Sequence, residues 1–341
     1  MSAATIRDVA KFAGVGIGTV SRVINDSPSV SEATRNKVLS AIEALDYSPN
    51  PMARRLSLGK TLTIAVIAPF FTRPAVVERL RGIERILAES EYDLMVFNVE
   101  TPSRRQTLLR DIPRRERIDG LIIISLSLND DDVDRLLRAG HPTVLIDVMN
   151  PNFSKVTIDD VAGGRRATEH LLELGHKRIA FLSDYADETF DFTSNRDRLT
   201  GYTDALRCAG IEPRPEYRAD GIHSRASAFV NTRRLLSLPE RPTAIFASSD
   251  TLAIGALEAA QEMGIRVPEE LSVIGYDDIE IAEYLRLTTI RQSLYESGIK
   301  GGELLLEEIA THPESAHSVV LPTELVVRDT TAPPMSGTVY N

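Results

Sequence analysis

Arg22 and its neighbours carry the first recognisable chemistry in the chain. Within VAKFAGVGIGTVSRVIN, residues 9–25, this guanidinium stands among Thr19, Ser21 and Asn25. A guanidinium is a planar fork of donors that matches the acceptor pair on a guanine edge, and short hydroxyl and amide side chains suit other base edges or phosphate oxygens. Residues three and four apart share one face of a helix, so this chemistry needs a short helix presented to a partner. Catalytic patterns are missing by comparison. Ser, His and Asp occur in number, yet the sequence holds no nucleophile elbow, phosphate-binding glycine loop or metal cluster. GVGIGTVSRV superficially resembles G-x-G-x-x-G but lacks the third glycine and a preceding strand. No enzyme, cofactor or metal is therefore expected.

Three short helices must hold that face, and the sequence supplies their signals. Thr5 stands at an N-cap position, with Val9, Ala10 and Ala13 at helical spacing, so residues 6–13 form the first helix. Gly14 and Gly16 permit a sharp reversal. A second helix runs from Gly16 or Ile17 to about Asn25, burying Val20, Val23 and Ile24 and leaving Thr19, Ser21, Arg22 and Asn25 outside. Ser31 caps a third helix, whose Val38, Leu39, Ile42 and Leu45 face inward. The arrangement fits a helix-turn-helix unit whose second helix enters a major groove. It also fits a helical cap on a larger domain, with Arg22 merely solvated.

Charge favours the first reading. The 341 residues carry a formal charge of −10, but residues 1–60 hold eight Lys or Arg against five Asp or Glu, whereas residues 61–341 hold 31 against 44. A basic module on an acidic body approaches phosphate with one end only. Next, YSPNPMARRLSLGKT frames a helix of seven or eight residues, with Asn50 as N-cap, Pro51 at its first position and Gly59 at its stop. Isolated helices below roughly 12–15 residues are marginal in water, so something must order this one. Arg54 and Arg55 would meet phosphates, and Leu56 would act as an apolar wedge between base steps in a minor groove. The plain alternative is a linker with two solvated arginines.

The rest of the chain alternates. TIAVIAPF, YDLMVFNV, GLIIISL, TVLIDV, RIAFLSD, AIFASS and SVIGYD are short, apolar runs suited to strands buried on both faces of a parallel sheet. Amphipathic helices lie between them, at roughly 75–90, 104–114, 130–139, 161–175, 196–210, 224–238, 251–264 and 294–311. The strands are too many for one compact sheet and the pattern restarts near Asp159, which predicts two α/β subdomains with ligands at the strand C-termini and between the lobes. No window approaches the roughly 18 apolar residues of a membrane span, and the N-terminus lacks a signal-peptide core, so the cytoplasm is the expected location and no membrane partner is expected. Cys208 has no second cysteine to pair with and is expected as a buried or idle thiol; the six histidines show no zinc spacing.

TIRDVAKFAGVGIGTVSRVIN, SEATRNKVLSAIEALDYSPN and ARRLSLGKT together resemble the headpiece and hinge helix of the lac repressor family (LacI/GalR) of bacterial transcription regulators. The resemblance continues through VERLRGIE, DGLIIIS, EHLLELGHKRIAFL, RDRLTGY, PTAIFASSD and IGALEAAQEMGIRVPEELSVIGYDDI to LPTELVVRDTTAPP, nearly the whole chain. It implies an all-α helix-turn-helix headpiece (1–48) and a hinge helix with linker (49–60), followed by a tail (332–341) beyond an α/β core of two doubly wound parallel-sheet subdomains, periplasmic-binding-protein-like (61–331). The N-subdomain would take about 61–159 and 293–321, and the C-subdomain about 160–290 and 322–331. The implied function is sequence-specific DNA-binding regulation, as a repressor of carbohydrate uptake or catabolism genes, under allosteric control by a small sugar-like effector. The implied partners are near-palindromic double-stranded operator DNA and a second copy in a homodimer; DTTAPPMSGTVYN lacks the heptads a tetramer would need.

The resemblance also distributes roles. Thr5, Ile17, Thr19, Ser21, Arg22, Asn25, Ser31, Arg35, Asn50, Ala53, Arg54, Arg55 and Leu56 would face DNA. Thr72, Arg73, Asp147, Arg196, His223, Ser249, Asp250 and Asp277 would line the effector cleft, where carboxylates and a guanidinium suit vicinal hydroxyls. Asp250 has an alternative role, capping the helix that follows it. Several positions depart from the family pattern. Many relatives carry an asparagine, proline and paired aromatics where PFFTRPAVVERL has Arg73, Pro74, Ala75 and Val76, while Phe70 and Phe71 are expected to face the core. His223 replaces an aromatic as a partial platform, and Ser249 stands where asparagine is commoner. Fewer rings favour a polyol over a stacked nucleobase, which stays as an alternative corepressor. A plain solute-binding protein is a further alternative, opposed by the headpiece and the lack of an export signal. Gly16 and Gly18 stand where the family has serine and a longer side chain, so base readout rests more on Ile17, Thr19, Arg22 and Leu56.

Overall fold

Capping fixes the first three helices. The computed structural model describes residues 4–25, 27–47, 60–113, 118–184 and 192–335. In its first compact unit, Met1–Leu62, helix α1 (Ile6–Ala13) begins where the Thr5 N–H and Oγ–H both donate to the Asp8 carboxylate, at 2.9 and 2.7 Å. It ends at Gly14, whose φ of +66° is the left-handed value a side chain would oppose. Helix α2 (Ile17–Ile24) starts at an extended Gly16, and α3 (Glu32–Ala44) starts at Ser31, whose Oγ accepts from the Thr34 N–H. Val9, Ala10, Val20, Val23, Val38 and Ala41 close the core between them. Leu39, expected inside, is 49% exposed because it lies about 100° round the helix from Val38. The expected hinge helix, with Asn50, Ala53, Arg54, Arg55 and Leu56, lies outside the described residues, as do residues 336–341 of the tail.

The second unit, Thr63–Asn341, contains two six-stranded sheets. Strands β1 (Thr63–Pro69), β2 (Asp93–Val99), β3 (Gly120–Ile124), β4 (Thr143–Ile146), β5 (Ser154–Ile158) and β11 (Ser318–Leu321) form the first, in the order β11-β5-β4-β3-β1-β2. The second has the order β12-β10-β9-β8-β6-β7, built from β6 (Ile179–Asp184), β7 (Arg218–Gly221), β8 (Ala244–Ala247), β9 (Ser272–Asp277), β10 (Thr288–Gln292) and β12 (Thr323–Val326). Pairing is parallel except where β12 joins β10. Helices α4 (Pro74–Leu87), α5 (Pro102–Asp111), α6 (Asp130–Ala139) and α12 (Leu294–Thr311) accompany the first sheet, and α7 (Asp160–Glu173), α8 (Thr193–Cys208), α9 (Arg225–Leu236), α10 (Asp250–Glu262) and the short α11 (Glu280–Tyr284) the second. The chain changes sheets after β5, after β10 and between β11 and β12. The strands not read from the sequence are β5, β7, β10, β11 and β12, which are short or polar, and β7, β11 and β12 are edges. None of the described helices is long and apolar enough to cross a membrane.

Two packing details place functional side chains. Helix α12 lies so close to α4 that a Cβ on Gly298 would sit 2.0 Å from the Arg79 carbonyl oxygen, which fixes Arg79 relative to the crossover. After β12 the chain straps the second sheet: the Thr330 hydroxyl donates to the Val273 carbonyl, and the Ala332 carbonyl accepts from His176 Nε2 at 2.9 Å. The tail expected from residue 332 is thus tied down at its first residue. Cys208, offered as buried or idle, is exposed.

Candidate nucleic-acid interface and ligand cleft

Helix α2 buries Val20 and Val23 and turns its other face outward. Ile17 is 46% exposed, Arg22 and Asn25 are exposed, and Thr19 and Ser21 are half-buried beside them. Asn25 Nδ2 reaches Ser21 Oγ at 3.5 Å. Arg22 has no hydrogen-bond or ion-pair partner among the described residues, so its fork of donors is free for a ligand. Gly18 leaves open space over this face, the nearest atom to an added Cβ being the Arg22 guanidinium at 3.8 Å. Thr5 and Ser31 sit at the N-termini of their helices with hydroxyls engaged in capping, and Arg35 Nη2 donates to the Ser27 carbonyl at 2.9 Å, tying α3 to the loop after α2.

The cleft lies between the two sheets of the second unit, where strands end and helices begin. Its space is about 640 Å³, open solvent included, and its walls include Arg73, Arg79, Ser125, Asp147, Asp184, Phe192, Asn195, Arg198, His223, Ser249, Asp277 and Gln292. Phe70, Ser125, Asp147 and Asp277 occupy positive φ, at +44°, +48°, +60° and +116°. Such conformations cost of order 1–3 kcal/mol each and cluster where side chains must be aimed. On one wall Asp147 accepts from the Ser125 hydroxyl at 2.7 Å and pairs with Arg79 at 3.2 Å. Arg79 also donates to Gln292 Oε1 at 3.3 Å, and Gln292 Nε2 donates to Asp277. On the other wall Arg198 donates to Asp160 at 2.8 Å and to the Ser248 carbonyl at 2.6 Å, lies 3.7 Å from Asp277, and stacks 3.8 Å from the Tyr276 ring centroid. Asp184 meets His223 Nδ1 at 3.2 Å and accepts from Asn195.

Burial disfavours charge throughout this network. It pushes the Asp160 carboxyl up to about 6 against the pull of Arg198, and raises Asp277 against Arg198 and Gln292. Burial acts against charge on Arg198 too, but Asp160, Tyr276 and Asp277 outweigh it and hold the guanidinium above its ordinary range. Burial thus makes these two carboxyls harder to ionise while Arg198 stays a permanent cation, and their oxygens and its N–H groups together can bind and orient hydroxyls. Among the described residues no cluster of His, Cys, Asp or Glu could hold a metal ion.

The structure brings Arg73, Asp147, His223, Ser249 and Asp277 together in the cleft. It corrects three other residues. Arg196 is 62% exposed and 4.0 Å from Asp197; the cleft guanidinium of RDRLTGY is Arg198, about 200° further round α8. Asp250 is wholly buried behind the wall, accepting from the Thr289 hydroxyl at 2.6 Å and the Ile279 N–H at 2.9 Å. It does not cap α10 either, since Ser249 Oγ accepts from the Leu252 N–H. Thr72 is exposed and not part of the cleft wall. Phe70 packs partly against the first sheet's core as expected, but Phe71 is 41% exposed. Sequence reasoning missed Arg79, Ser125, Asp184, Phe192, Asn195 and Gln292. Asp184 and Gln292 end strands, the one available signal; Arg79 lies inside a helix and gives none.

Comparison with known proteins covers both units. Residues 5–50 match the family described as bacterial regulatory proteins, lacI family, and residues 168–331 match a periplasmic binding protein-like domain. The chain is 34% identical over 330 residues to the HTH-type transcriptional repressor PurR of Photobacterium profundum, covering 95% of this chain and 98% of the relative. Among solved structures, the lac repressor dimer bound to operator and the anti-inducer ONPF is 32% identical with a TM-score of 0.86, over 97% of this chain and 100% of that one. A complex of the transcriptional regulator CelR with cellobiose is 33% identical with a TM-score of 0.71, over 96% and 99%.

Proposed function

The chain belongs to the lacI family of bacterial regulatory proteins and is a DNA-binding transcriptional repressor rather than an enzyme; from that premise we propose that a sugar-like polyol bound in its cleft controls its grip on operator DNA. One observation carries the effector assignment. Asp147, Asp184 and Asp277 converge with Arg198, Asn195 and Gln292 on a single cavity, and carboxylates that accept paired hydroxyl hydrogens beside fixed donors suit a polyol. The similar CelR structure holds cellobiose, which supports the same class. A flat nucleobase is the alternative, and among the described residues of the cleft wall Phe192 is the ring that favours it. The Arg73 guanidinium lies 5.6 Å from the centroid of that ring.

Two copies of α2 acting on a near-palindromic operator follow from a homodimer; the similar lac repressor structure is a dimer bound to operator. Ile17, Thr19, Ser21, Arg22 and Asn25 are the proposed groove contacts, with Arg54, Arg55 and Leu56 of the hinge segment as the proposed minor-groove contacts. Ligand binding would alter the relative placement of the paired N-subdomains, and with it hinge folding in the minor groove. The test is fluorescence anisotropy at fixed salt with DNA from upstream of the protein's own coding region, with and without a panel of sugars. A sugar should change operator affinity at least fivefold, and Asp277→Ala should remove that response. Operator binding that ignores every sugar would discard the polyol assignment and leave the DNA assignment intact.

A further inference from the structure

Among the described residues that wall the cleft, Arg73 is the one cation without a counter-ion. It lies where α4 starts, its guanidinium 4.1 Å from the Phe70 ring centroid and 5.6 Å from that of Phe192. Among the described residues no hydrogen-bond or ion-pair partner lies within bonding distance of it. Burial pulls its pKa down and Asp184 opposes this only through space. The other two cleft guanidinium groups are neutralised: Arg79 pairs with Asp147, and Arg198 with Asp160 and Asp277. Five donors held between two rings and facing a cavity are an unfinished site, because a half-buried guanidinium is stabilised by a planar anion that takes two of its N–H groups. Helices α4, α8 and α10 also begin at the cleft walls, through Pro74, Ser194 and Thr251 respectively, and their N-termini add positive potential there.

Building on the polyol assignment above, we infer that the effector is a sugar acid whose single carboxylate docks on Arg73 while its hydroxyls bind Asp147, Asp277 and Arg198. The charge of the walls limits the anion to one negative charge. A phosphate dianion would bring two charges to one uncompensated cation in a cavity already lined by Asp147, Asp184 and Asp277, and like charges at close range disfavour each other strongly in a poorly solvated site. A carboxylate brings a single charge to match the single charge of Arg73, half the added repulsion of the dianion.

Isothermal titration of the full chain tests this with matched pairs: D-glucuronate against D-glucose, D-galacturonate against D-galactose, D-gluconate against D-glucitol, and D-glucose 6-phosphate as the dianion. At least one acid is expected to bind tenfold or more tightly than its neutral counterpart. Arg73→Gln should erase that preference and Arg73→Lys should keep part of it. Neutral sugars that bind as well as or better than the acids, a preference that survives Arg73→Gln, or a preference for the phosphate would each overturn the inference while leaving a carbohydrate effector in place. Operator binding with no response to any of the seven compounds would overturn it together with the polyol assignment.

Discussion

Arg198 and Asp160 are almost sealed from solvent, their side chains 7% and 5% exposed, so each depends on the other for its charge. Removing one member of a buried pair leaves the second uncompensated, which costs about 3–5 kcal/mol. Arg198→Ala should therefore lower stability by about that amount in urea unfolding and also weaken effector binding. Arg196→Ala, two residues away and 62% exposed, should change stability by less than about 0.5 kcal/mol. Equal losses in the two variants would remove Asp160 from its role as a buried counter-ion. The contrast also marks how far the sequence could be read at this scale. RDRLTGY pointed to the right turn of the right helix, but only the phase of α8 against its sheet decides which arginine turns inward. Asp250 failed for a related reason. A carboxylate next to a strand end looks the same in sequence whether it faces the cavity or, as here, the Thr289 hydroxyl behind it.

Elements were legible where burial is two-sided or periodic. The runs that became β1, β3, β4, β6, β8 and β9 are continuous apolar segments, and the helices between them lie within a few residues of their expected positions. The β7 and β12 edges carry too few apolar residues to show a pattern and the apolar run of β11 is three residues long, and the strap over the second sheet is held by backbone groups and hydroxyls that no periodicity reveals. That strap has a titratable clasp. The Ala332 carbonyl can only accept, so His176 Nε2 carries the proton toward it while Nδ1 faces the Thr243 hydroxyl. Nearby, His170 Nε2 meets the Thr331 hydroxyl. Burial lowers both histidines below their ordinary 6.5, with Arg166 adding to the effect on His170. A depressed folded-state value means that their contribution to stability is complete above 6.5 and is lost as pH falls below it. The urea midpoint should therefore drop between pH 7 and pH 5. His176→Gln should flatten the drop by about one proton's worth of slope, whereas an unchanged slope would show that His176 does not titrate with folding.

At the scale of the whole molecule, the proposed homodimer needs a face that meets its own copy. The body offers apolar side chains on both lobes: Val77 and Tyr295 beside the first sheet, Ile281 and Tyr284 on α11, and Met95 and Val96 on β2 at a sheet edge. Electrostatic interaction of Arg81, on α4, with both Tyr295 and Glu280 places α4, the start of α12 and α11 on one side of the body. Tyr284, 82% exposed, is the large aromatic that a partner would cover, and aromatic anchors dominate the energy of such interfaces. A twofold interface meets every substitution twice, so a loss of about 1–2 kcal/mol per site becomes about 2–4 kcal/mol per dimer. Tyr284→Asp should consequently weaken dimerisation by at least tenfold in sedimentation velocity, and operator affinity should then become steeply dependent on protein concentration. Dimers as tight as the parent's would place the interface elsewhere and make Tyr284 an ordinary surface ring. Sequence alone does not single out this proposed face, because an exposed tyrosine on a five-residue helix has no periodicity to set it apart; its proposal rests on the exposure of Tyr284 in the folded chain.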